Sequence, residues 1–121
     1  MENKKANQLI DKIVGDIETT GINTDTLIND LQELRGFALE QQVPLVVKVL
    51  RLTYEHIEEN DSFMIPIPDD EPINEEGENE TEGPTVNPVE SLAYLISLMK
   101  DLDNKLNIAD LKEYRDALND F

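Results

Sequence analysis

His56 stands among Glu55, Glu58 and Glu59 and is the chain's single histidine, the one side chain whose ordinary pKa lies near neutrality. An i, i+3 pair such as His56 and Glu59 could hold a divalent metal if another helix supplied further ligands. The opposing reading is a solvated helix end, and it is favoured because there is no second histidine and no HExxH motif. With no cysteine, the chain has no thiol nucleophile, no cysteine-ligated zinc and no disulfide framework. No metal and no cofactor are expected.

Carboxylates dominate the remaining chemistry. There are 27 Asp plus Glu against 10 Lys plus Arg, a formal net charge of -17 over 121 residues. Acid–base catalysis by paired carboxylates needs a pocket that drives their pKa values apart. Most of these acids lie instead where the chain reads as solvated. An EF-hand fails too, because setting Gly77 at the loop glycine puts Pro72 at the first ligand position and Gly83 at the bidentate glutamate position. No Walker loop, GxGxxG or GxSxG occurs, so no catalytic residues are assigned and an enzyme is not expected.

The remaining motif is apolar. Phe63-Met64-Ile65-Pro66-Ile67-Pro68 is a strip of large side chains whose prolines disfavour helix, and Asp69, Asp70 and Glu71 follow it directly. Phe63, Met64, Ile65 and Ile67 suit a groove or a sheet edge on a partner, with Asp69, Asp70 and Glu71 steering toward a basic surface. An equally weighted alternative folds Phe63, Met64 and Ile65 back as a lid over the core.

The elements that would position these residues follow from charge and periodicity. Residues 52–99 carry thirteen acids and no base, whereas 1–51 and 100–121 are each close to balance. From Asp69 to Thr85 acids, prolines and glycines leave too little apolar surface to offset ordering entropy, so a disordered or extended linker is expected.

Before it, Ala6, Leu9, Ile10, Ile13, Val14 and Ile17 fall on one helical face, with Gly21 as a stop. A second helix starts at Asn23 or Thr24 and carries Leu27, Ile28, Leu31, Leu34, Ala38 and Leu39 on its stripe. Pro44 opens a third, apolar nearly all round at first, whose β-branched residues also suit a buried strand. After the linker, Asn87-Pro88-Val89-Glu90 starts a helix bearing Leu92, Leu95, Ile96, Met99 and Leu102. Asn107 is expected to cap a short fifth, with Ile108, Leu111, Tyr114, Leu118 and Phe121 inward.

The fold class is therefore all-α: a three-helix part at 1–60, an acidic extended linker at 61–87 and a helical hairpin at 88–121. The hairpin is short for independent folding, so it packs on the first three helices or on a partner, and one five-helix bundle is preferred. No signal-peptide pattern and no bilayer-length apolar run occur, which points to a cytoplasmic or virion location rather than secretion or a membrane.

Three functions compete on this evidence. The first is a non-catalytic protein–protein interaction or assembly component, such as a structural or accessory protein of a bacteriophage virion or another large complex. Its partner would be a protein with a basic or apolar groove, without direct nucleic-acid contact, and the sequence does not specify its oligomeric state. The second is an acidic DNA mimic that blocks a nucleic-acid-binding host protein; the placement of the acids in a proline-rich segment weighs against it. The third is a helix-turn-helix regulator at Gln42-Val43-Pro44, with Arg35, Lys48 and Arg51 as a sparse recognition set.

Overall fold

Periodic apolar stripes and asparagine caps yield five helices in a computed structural model that describes residues 3–67 and 87–121. Helix α1 spans Lys4–Thr20, α2 Thr24–Glu40, α3 Pro44–Asn60, α4 Pro88–Leu98 and α5 Lys105–Asp120. No strand occurs among the described residues. Apart from Asp61, the linker's acids, Asp69, Asp70 and Glu71 included, lie outside them.

Four of the five helices begin on an asparagine. Asn3 Oδ1 accepts from the backbone N–H groups of Lys5 at 2.7 Å and Ala6 at 3.2 Å, and Asn23, Asn87 and Asn104 cap α2, α4 and α5 in the same way. Each satisfies amides left without intrahelical acceptors. Helix α3 has no side-chain cap and opens with Pro44, which lacks the orphan N–H.

The start of α5 differs from the sequence expectation. Asn104 is the cap, so α5 begins at Lys105 and Asn107 lies within its first turn. Asn107 instead donates through its side-chain amide to the carbonyl of Asp101 at 3.0 Å, holding the α4–α5 turn closed.

Each helix packs against two others, and together they close a ring in the order α1, α2, α3, α5, α4. The hairpin α4–α5 thus docks within the same chain, α4 on α1 and α5 on α3. Ile10, Ile13, Leu31, Leu34, Val49, Leu50, Leu92, Leu95 and Leu111 meet in one core. Two residues expected inside lie outside: Leu39 is 54% exposed and Phe121 65%. Leu39 sits five positions past Leu34, about 140° around the helix, and Phe121 lies beyond the last turn of α5.

Helices α3 and α4 are not neighbours in the ring, and the described segment leaving α3 meets α5 through Phe63 and Tyr114 and α4 through Ile65 and Ser91. Asp61 makes the exit turn in the left-handed region, with φ 57°. Residues 63–67 then run without helix across that end of the bundle.

Candidate functional site

The described structure offers two places where chemistry could be sought: the strip across the bundle end, which carries the predicted docking residues, and a cleft between α2 and α3.

In the strip, side chains alternate. Phe63 and Ile65 are buried in the core, Ile67 is half-buried and Met64 is 44% exposed. Three helices hold the segment. His56 on α3 accepts a hydrogen bond at Nε2 from the Met64 N–H at 3.0 Å, and Ser91 Oγ on α4 donates to the Ile65 carbonyl at 2.6 Å. Tyr114 on α5 donates to the Ser91 carbonyl at 3.1 Å and lies 3.0 Å from Ser91 Oγ. The Phe63 ring sits 5.7 Å from His56, edge to face, and 6.0 Å from Tyr114.

This placement corrects the solvated reading of His56, which is only 6% exposed. The physical reason is the folded-back strip, which packs Phe63 against the imidazole, together with the Phe121 ring, whose centroid lies 4.6 Å away. Burial lowers the His56 pKa from 6.5, against a smaller upward pull from Glu59. Nε2 is occupied by the Met64 amide, so a metal at that atom would have to displace the strip. Among the described residues no three His, Cys, Asp or Glu side chains gather as a metal site.

Ser91, His56 and Tyr114 superficially supply a nucleophile and bases, but their geometry is structural. Ser91 and Tyr114 are sealed from solvent. The Ser91 hydroxyl proton goes to a backbone carbonyl rather than to His56. Burial pushes the Tyr114 phenol far above its ordinary value of 10.0, so it stays protonated and acts as a donor. Nearby, Tyr94 donates its hydroxyl to the Asp110 carboxylate, tying α4 to α5.

The second place is open. Helix α2 presents Arg35 and Leu39 at i and i+4, the turn contributes Gln42 and Val43, and α3 presents Pro44, Val47, Lys48 and Arg51 over two turns; together they line a cleft of about 530 Å³. Three bases and no acid line it. The turn between the helices is a Schellman motif: Val43 N–H donates to the Ala38 carbonyl at 3.0 Å and Gln42 N–H to the Leu39 carbonyl at 3.1 Å. Gln42 takes the left-handed position, φ 58°, where glycine is usual.

The sequence groups Arg35, Lys48 and Arg51 as a sparse recognition set for an operator. Around the cleft they border Leu39, Val43 and Val47, and farther along α3 come Glu55, Glu58 and Glu59. That is a mixed apolar and basic surface rather than a phosphate-binding stripe. No described helix is long and apolar enough to cross a membrane. Comparison with known protein families, with curated proteins and with solved structures finds no match to this chain.

Proposed function

We propose that this protein is a non-catalytic interaction component of a larger assembly, a helical bundle that presents a contact surface to another protein. One observation carries the reading. The described polar groups that could resemble catalytic machinery are sealed and used for packing, while the open feature on the outer surface is a cleft that joins an exposed Leu39 to three bases. Exposed aliphatic surface beside arginine is the composition of a protein contact. A place in a virion or another large complex fits this role.

The strip keeps a part in this proposal through Met64 and Ile67, which lie at the surface or only partly buried. Docking by Phe63 or Ile65 requires the strip to leave the core. The experiment is affinity capture of the full chain from its native source, washed at low and high salt and followed by size-exclusion of the recovered complex. A complex of defined stoichiometry supports the reading. Recovery of the chain alone under every wash, by a protein that remains folded, overturns it.

A further inference from the structure

The lining of the α2–α3 cleft runs against the composition of the chain. Acids outnumber bases 27 to 10 overall, yet the cleft gathers Arg35, Lys48 and Arg51 and no carboxylate. Neither Arg35 nor Lys48 has an ion-pair partner among the described residues, and Arg51 meets Glu55 only at 3.8 Å with both side chains about half exposed. A pair that open is weakly held and can be exchanged for a better acceptor.

Two further observations concern the lining. Arg35 Nε is shielded from solvent and has no hydrogen-bond partner among the described residues, although Arg35 lines the cleft. A shielded Nε comes within a ligand's reach only when the side chain turns, and the guanidinium fork then matches a carboxylate. Gln42, also in the lining, occupies a left-handed backbone position that a glycine would fill with less strain. Its side chain brings an amide able to donate to and accept from a peptide backbone.

The apolar part of the lining excludes a simple anion. Leu39, Val43, Pro44 and Val47 supply an aliphatic surface, with Leu39 more than half exposed. We propose that this cleft binds an acidic segment of another protein that carries a large apolar side chain. Its carboxylates meet Arg35, Lys48 and Arg51, and its apolar side chain rests on Leu39, Val43 and Val47. A long polyanion is disfavoured by the net charge of -17, whereas a short acidic segment feels mainly the local bases. The chain's own acidic stretch, residues 68–86, is the competing occupant, and the experiment below distinguishes it from another protein.

This inference rests on the interaction reading above, and its test separates the two. A random-peptide display selection is run on the full chain, and selected peptides are measured against Lys48→Glu and Leu39→Ser, exposed positions whose variants are first confirmed folded by circular dichroism. The expected winners pair acids with one large apolar residue, weaken about tenfold or more in each variant and weaken again in high salt. Acid-free winners, or winners that bind both variants equally, overturn the cleft while leaving the interaction reading intact; a library with no winners overturns both. The cleft assignment also falls if a synthetic peptide of residues 68–86 or a duplex DNA oligonucleotide displaces the winners, or if sedimentation shows a dimer that Lys48→Glu disperses.

Discussion

The imidazole of His56 accepts the backbone N–H of Met64 at 3.0 Å, tying the last turns of α3 to the strip that crosses the bundle end. The bond requires a neutral ring with an unprotonated Nε2. Burial, which lowers the His56 pKa from 6.5, favours the same state, while Glu59 pulls the other way. Local structure and protonation are therefore coupled at this residue.

Stability should fall in mild acid for this reason. The unfolded chain has the ordinary His pKa near 6.5 and the folded chain a lower one, so between the two values the unfolded state binds more protons. The contribution is complete above 6.5 and is lost as pH falls through that value and then through the folded pKa. Thermal midpoints measured at about pH 7.5 and about pH 5.5 should differ in the wild type and differ less in His56→Gln. Equal pH slopes in the two proteins would refute the coupling.

The Ser91 hydroxyl is the second tie on the strip. Removing it leaves the buried Ile65 carbonyl without its 2.6 Å donor, so Ser91→Ala should cost about 1 to 3 kcal/mol. Tyr114→Phe retains the ring against Phe63 and removes only the hydroxyl that reaches Ser91, so about 0.5 to 1.5 kcal/mol is expected. The double variant should lose less than the sum, because the two hydroxyls lie 3.0 Å apart. Chemical denaturation of the four proteins measures the coupling, and strict additivity would deny it.

Phe63 is fully buried, so Phe63→Ala should cost about 3 to 5 kcal/mol in the isolated protein. Ile13→Ala, on the buried face of α1, is the matched control and should cost about 2 to 5 kcal/mol. Met64→Ala removes a side chain that is 44% exposed and should change little. Urea denaturation ranks the three. If Phe63→Ala behaved like Met64→Ala, the strip would be a loose cover rather than part of the core.

What could be read from residues alone depended on how local the signal was. The α1 stripe from Ala6 to Ile17, the Asn87-Pro88 start and the Gly21 stop are written within single turns, and each appears as expected. The α2 stripe is expected to include Leu39, but the buried face runs through Leu34 and Ala38 and leaves Leu39 on the outer side. His56 and the cleft depend on chain reversals rather than on the periodicity of one helix. Nothing near His56 shows that Phe63 will return over it. The bases at 35, 48 and 51 become one cluster only when the turn at Gln41 and Gln42 brings two helices side by side.

That turn provides the last prediction. An ordinary side chain in the left-handed region costs about 1 to 2 kcal/mol, while glycine regains part of this as unfolded-state entropy. Gln42→Gly should therefore stabilise the protein by about 0.5 to 1 kcal/mol, since φ there is 58° and the Schellman bonds use only the backbone. Gly36→Ala, within α2 and with open space where a Cβ would stand, should add about 1 kcal/mol through helix propensity and serves as a control outside the left-handed turn itself. Both gains are read as shifts of the denaturation midpoint at constant slope. If Gln42→Gly stabilises the fold while weakening a cleft-binding peptide and Gly36→Ala only stabilises it, then the strained glutamine is retained for contact rather than for folding.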